Sequence, residues 1–359
     1  MFDKRHYVPV LKWKQGEQKA LETLTPTIKR GLTPLIEVAP IDWDFDNGTY
    51  KKTIDEQLDG FGEIMSRSWG MDGAIFVDLL HIEPNDRMEN GQHPLEFTLQ
   101  ELRSRFIKAI PVTSYERDVE YNKEVALAHQ IDGLGVCIRL VEEDFDNLQV
   151  RLDALLHSLQ VAPSEVDLVI DNNHVDPNSR TRTTLLLTGL INNITYLQEW
   201  RNIILCGTAI PKDLSEIGAD NVGEIERTEW LIWKKLIQSN HLTRNPTFGD
   251  YGIAHPEPFE ADPRLIRMSA SIRYTGEDKF IMFRGRDLRK YGYGQYYQLA
   301  AQIIAHPEYS GPAFSAGDQY IYDVANQVGT SGSPQTWRRT GTSHHLTYVV
   351  NDLSNVFLP

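Results

Sequence analysis

Eight short apolar segments, most of them ending in a charged or hydrogen-bonding side chain and separated by helix-length stretches, constrain this chain more than any other feature. They read Tyr7 to Lys12, Pro34 to Glu37, Ala74 to Asp78, Ile110 to Tyr115, Gly135 to Arg139, Leu168 to Asp171, Ile203 to Thr208 and Thr247 to Asp250. Apolar runs without polar alternation are what a strand buried on both faces requires, and parallel strands need a crossover between them, usually a helix. The pattern therefore predicts an α/β chain wound as a (β/α)8 barrel of the TIM type. In such a barrel the carboxyl ends of the strands share one rim, and chemistry or ligand binding sits there.

Between these runs the apolar spacing becomes helical. Leu148, Leu152, Leu155, Leu156 and Leu159 form one stripe, and Leu95, Phe97, Leu99, Leu102 and Phe106 form another. Ile225 to Ile237 suits the helix after the seventh strand, behind a proline-bearing loop at Ala209 to Asp213. Turn-rich breaks fall at Pro84 to Pro94, Asn172 to Asn178 and His255 to Pro263, and the last of them ends the barrel. Beyond it, Leu265 to Tyr274 and Lys279 to Arg284 flank a turn at Thr275 to Asp278, the signature of a hairpin. A helix over Tyr296 to His306, a stretch rich in Gly, Ser and Pro, and a last helix over Thr340 to Leu353 follow. The expected organisation is a barrel over 1–254, an α+β region over 255–339 folded across the carboxyl-terminal rim, and a closing barrel helix in 340–359.

Several functions are disfavoured. With 36 basic and 50 acidic residues the formal charge is −14, which opposes general affinity for nucleic acid or an anionic membrane. The amino-terminal residues have no apolar h-region and no long apolar run occurs, so a soluble, cytoplasmic protein is expected. Cys137 and Cys206 lie inside predicted strands, as small buried hydrophobes. No phosphate loop, dinucleotide fingerprint or Gly-x-Ser-x-Gly elbow is present, so ATP, NAD and serine-hydrolase chemistry lack support. His81, His93, His129, His157 and His174 lack zinc-ligand spacing. The adjacent His344 and His345 diverge by about 100° on a helix, so one is expected buried and the other exposed.

The strand ends bring Lys12, Glu37, Asp78, Tyr115, Arg139, Asp171 and Asp250 to the rim. Carboxylates at Glu37, Asp78, Asp171 and Asp250 suit a divalent cation, or a division into general acid and base. Lys12 and Arg139 suit the same carboxylates as salt-bridge partners. Arg264 to Lys290 is the one locally basic stretch. In it Arg273 and Arg284 lie on opposite hairpin arms, where they either offer two guanidinium forks to one anion or pair with the acidic rim. Tyr291, Tyr293, Tyr296 and Tyr297, spaced by Gly292 and Gly294, suit either stacking on a base or packing of the lid.

Several stretches together resemble the "beta protein" family of phages and bacterial genomes. They run from Tyr7-Val8-Pro9-Val10-Leu11-Lys12-Trp13-Lys14-Gln15-Gly16-Glu17 through Pro34 to Glu37, the Asp78 strand end, Glu229-Trp230 and Phe248 to Tyr251. They continue with Ile272-Arg273-Tyr274-Thr275, Phe283-Arg284-Gly285, a Gly317-Asp318 turn and Trp337 to His345. The resemblance implies a role in phage–host conflict or antiviral defence, and no particular reaction. It places recurring polar residues at Lys12, Lys14, Glu17, Glu37, Asp78, Asp250, Arg273, Arg284, Trp337 and His345.

Two functional readings follow. One is a hydrolase or lyase for a small anionic, phosphorylated or nucleotide-like ligand, with Glu37, Asp78, Asp171 and Asp250 catalytic. Lys12, Lys14, Tyr115, Arg139, Arg273, Tyr274, Arg284 and His345 then hold the ligand, and the cofactor is left open with a divalent cation as the candidate. The other is a non-catalytic barrel that binds a partner protein or senses a phage component.

Overall fold

The computed structural model describes residues 2, 5–71, 73–258 and 267–356. Eight parallel strands hydrogen-bond in chain order and close on themselves. They are β1 (Tyr7–Lys12), β2 (Leu35–Glu37), β3 (Ile75–Asp78), β4 (Ala109–Thr113), β5 (Val136–Leu140), β6 (Val166–His174), β7 (Asn202–Thr208) and β8 (Thr247–Asp250). This is the predicted (β/α)8 barrel. Alternation along each strand sends Val8, Val10, Leu35, Phe76, Val112 and Val169 inward, together with both free cysteines. Their neighbours, among them Tyr7, Ile36, Val77, Ile138 and Phe248, point outward into the layer beneath the helices.

The helices start and stop where local chemistry allows. Asp118 caps Val119–Asp132 by accepting from the Glu120 and Tyr121 amides, and Gly133 at φ 63° ends it in a left-handed conformation. Helix Pro94–Arg103 stops before Phe106, which sits at φ 58° and is exposed instead of completing the expected stripe. The helix after β7 begins at Thr228, because Asn221–Glu226 is drawn into a strand against Lys279–Asp287. Ile225 therefore packs in a sheet, a tertiary override of its helical spacing.

That pairing gives the region over the mouth a three-stranded sheet, Asn221–Glu226, Lys279–Asp287 and Ser269–Thr275. Arg264, Leu265 and Ile266, which the sequence puts in this basic hairpin, lie outside the described residues. One face of the sheet packs on helices Gln295–Ile304 and Ala316–Ala325 through Ile272, Tyr274, Ile281 and Phe283. The other face lies on the barrel, where Phe280 and Met282 meet Ile210 and Ile253. Tyr296 stacks on Trp337 at 5.1 Å, so at least this tyrosine packs the lid. The expected Gly317-Asp318 turn is instead the first turn of Ala316–Ala325, capped by Ser315.

The last helix runs from Pro334 to Val356 and passes unbroken through position 340. It buries both His344 and His345, against the expectation of one exposed ring, because the barrel and the lid flank it on two sides. Among the described residues no helix is long and apolar enough to cross a membrane.

Candidate functional site

At the mouth of the barrel three inward-facing acids close on one guanidinium. Lys12, Glu37 and Asp78 are register partners on β1, β2 and β3, at one level of the cylinder. Arg139 reaches them across the axis from β5. Its Nη1 donates to Glu37 Oε1 at 2.8 Å and Asp78 Oδ2 at 2.9 Å, and its Nη2 donates to Asp171 Oδ2 at 2.7 Å and the Tyr251 hydroxyl at 2.6 Å. Tyr251 in turn donates to Asp171 Oδ2 at 2.5 Å, and Arg117 donates to Asp78 Oδ1. Burial works to raise the Glu37 carboxyl, but Arg139, His81 and Lys12 outweigh it and hold it down at about 2. Burial brings the Lys12 ammonium down to about 8 despite Glu37, and its Nζ donates to the Pro256 carbonyl.

The guanidinium of Arg139 thus occupies the point on which these carboxylates converge, the place a divalent cation would need. Among the described residues no group of three or more His, Cys, Asp or Glu side chains is arranged to hold a metal ion.

Asp250, the fourth predicted acid, does not join them. It pairs in register with Pro9 and takes the outward parity of β8, away from the axis and toward the closing helix. There its carboxylate accepts from the Tyr7 hydroxyl, from the Gly252 amide at 2.8 Å, and from His345 Nε2 at 3.0 Å. With Nε2 donating, His345 Nδ1 accepts from Thr275 Oγ1 at 2.9 Å. Asp250 and His345 therefore join β8, the closing helix and the lid.

The remaining candidates divide. Tyr115 turns from the axis, with Arg151 over its ring at 4.1 Å. Tyr274 lies on the helix-packed face of the lid sheet, where it donates to Asp318 at 2.8 Å and stacks on His344 at 3.9 Å. Arg284 sits opposite Ser271 and Arg273 opposite Met282, so the two arginines are diagonal neighbours. They do not share an anion: Arg284 donates to the carbonyls of Leu214, Ser215 and Ile217, and Arg273 to that of Ile253. Arg338 donates to the same Ile253 carbonyl at 3.0 Å.

Lys14 lines a cleft of about 1140 Å³ beside the axis, over the loops that follow β2, β3 and β4. Its inner wall carries two residues outside the predicted site, His81, weighed from sequence only as a zinc ligand, and Arg117. His81 turns Nε2 toward Glu37 Oε2 at 3.7 Å, within ion-pair range but beyond hydrogen-bond distance, and neither buried atom has a hydrogen-bond partner. A buried, ionised carboxylate therefore stands behind an imidazole whose other face lines an open cleft. A signal was available, since His81 is three residues beyond the Asp78 strand end and the loops leaving barrel strands line the same rim.

A family model described as Beta protein matches residues 7–351. Among curated proteins none matches the chain. Among solved structures, triosephosphate isomerase from Bartonella henselae shares 11% identity at a TM-score of 0.35, covering 68% of this chain and 91% of that one. The catalytic module of a family 98 glycoside hydrolase from Streptococcus pneumoniae TIGR4, in its native form, shares 11% identity at a TM-score of 0.38, covering 70% of this chain. The chain spans about half the length of that module, 47%. Similarity at this level bears on no residue's role.

Proposed function

The chain belongs to the Beta protein family, and from the geometry beside its barrel mouth we propose that it binds a small anionic, phosphorylated ligand and acts on it as a hydrolase or lyase. The observation that carries this reading is His81, set between the ionised Glu37 carboxylate and a cleft of about 1140 Å³. His81 is the proton acceptor, and Glu37 orients its ring and stabilises the imidazolium that forms. Arg139 is a positioning residue that holds Glu37, while Asp78 and Asp171 neutralise Arg139 and Arg117. Lys14, Lys51 and Lys52 line the cleft and would hold the anion as local contacts, among the acids Asp42, Glu83, Asp86, Glu116 and Asp118 of the same lining. The activity belongs in the cytoplasm and, by family resemblance, in phage–host conflict or antiviral defence.

The mutual pairing of the axial acids favours a second reading, a barrel that binds a protein or phage component without chemistry. One experiment separates the two. Phosphorylated metabolites are incubated with the protein and with His81→Asn, and consumption is followed by mass spectrometry beside a thermal-shift screen. The catalytic reading expects a ligand that shifts both proteins and is consumed by the unmodified chain at least a hundredfold faster, the scale of one general base. Consumption that survives His81→Asn, or an absence of turnover with every binding compound, removes it.

A further inference from the structure

The walls of the cleft are unlike one another. One is a two-stranded hairpin, Trp43–Asp44 against Thr49–Tyr50, that leaves large aromatic side chains open to solvent: Trp43 is 42% exposed, Phe45 43% and Tyr50 51%. All three line the cleft, and Lys51 and Lys52 follow in the chain on the same wall. Trp43 and Tyr50 are register partners whose rings meet edge to face at 5.1 Å and 90°, so each holds the other's orientation before any ligand arrives. The rest of the lining carries Glu83, Asp86, Glu116 and Asp118 beside His81 and Arg117, and Asp42 adjoins the hairpin itself.

A hairpin this short cannot bury rings in a core of its own, and their exposure around a concavity marks an apolar surface that a ligand covers. The chemistry of the wall restricts that ligand. Flat, π-faced rings take a planar heterocycle, the lysines beside them take an anion, and the acids of the lining accept from hydroxyl or exocyclic amino groups. The volume, somewhat above the usual range of small-molecule sites, leaves room for a ligand of that size.

Resting on the reading of this cleft as an anion site, we propose that its ligand is a nucleotide, with the base stacked on the Trp43 and Tyr50 hairpin and the phosphate held by Lys51 and Lys52. The base then supplies recognition through its ring face, which tolerates different bases, and the phosphate anchors the ligand beside it. The other compounds a phosphate site could take, such as sugar phosphates and inorganic phosphate, have no planar ring and leave the aromatic wall uncovered.

Isothermal titration with nucleoside monophosphates, ribose 5-phosphate, inorganic phosphate and free nucleosides tests this, using the full chain, Trp43→Ala, and the double variant Lys51→Ala, Lys52→Ala. All three positions lie on an exposed hairpin, and circular dichroism checks that each variant is folded. The nucleoside monophosphates should bind more tightly than ribose 5-phosphate, and Trp43→Ala should weaken them about tenfold or more while leaving ribose 5-phosphate unchanged. The lysine double variant should weaken both phosphorylated classes and spare the nucleosides. Equal binding of nucleotide and sugar phosphate, or indifference to Trp43→Ala, overturns the nucleotide proposal and leaves the anion reading standing. Failure of every phosphorylated compound to bind overturns both.

Discussion

Two fully buried glutamates in this protein carry opposite shifts, and the difference lies in what faces them. Glu37 meets Arg139 at 2.8 Å and is held down at about 2, whereas Glu229 accepts from the Ala209 amide, with no cation hydrogen-bonded to it, and burial pushes it up to about 8. Arg227 opposes that rise and Asp250 adds to it. The consequences for stability have opposite signs. The Glu37 contribution is present above the unfolded value near 4.5 and is lost as pH falls toward 2. The Glu229 contribution is present below 4.5 and is lost as pH rises through about 8, at about 1.4 kcal/mol per unit across the interval. Glu229→Gln keeps an acceptor for Ala209 and removes the charge. Its melting temperature should therefore gain on the unmodified protein steadily from about pH 5 to pH 8 and level off above that, and a difference independent of pH would contradict the assignment.

At the scale of elements, one residue of pleat separates the mouth from the wall. Glu37, Asp78 and Asp171 share the inward parity and gather on Arg139, while Asp250 takes the outward one and bonds His345 instead. A strand buried on both faces is apolar at every position, so its sequence carries no alternation from which parity can be read. That is why all eight strands were legible while the membership of the acidic cluster was not. Helix contacts were hidden for a related reason. A Cβ on Gly317, read as part of a turn, would stand 2.2 Å from the Thr340 carbonyl of the closing helix, so here the absent side chain sets how closely two helices cross. Gly317→Ala gains about 1 kcal/mol of helix propensity. Because a backbone atom is in the way, overpacking of about 1–3 kcal/mol or more should win, and thermal denaturation should show a lower midpoint. An unchanged or higher midpoint would mean that the two helices separate freely.

Over the whole molecule, barrel and lid are interlaced rather than appended. The lid sheet takes one strand, Asn221–Glu226, from between β7 and β8 and two from beyond β8. The closing helix packs on helix Gln15–Glu22, next after β1, while His344 reaches Asp318 and Thr275 in the lid and His345 reaches Asp250 in the barrel. A chain ending at residue 254 keeps every barrel strand, yet it uncovers Tyr7 and Asp250 and leaves Asn221–Glu226 without its partner strand. It should show no cooperative thermal transition by circular dichroism, whereas the full chain melts cooperatively. A compact, cooperative fragment would mean that the barrel folds alone.

The order of strands and helices, the barrel they close, and the position of a polar rim were determined by the sequence, because each rests on local periodicity and on the need of parallel strands for crossovers. Which charge neutralises which was decided only by the tertiary structure. Arg139 meets acids from three other strands, His81 finds Glu37 from the next strand's loop, and Asp250 turns to a helix near the other end of the chain. Electrostatic pairing depends on distances of a few ångströms between residues far apart in sequence, and no local pattern encodes those distances before the barrel is closed.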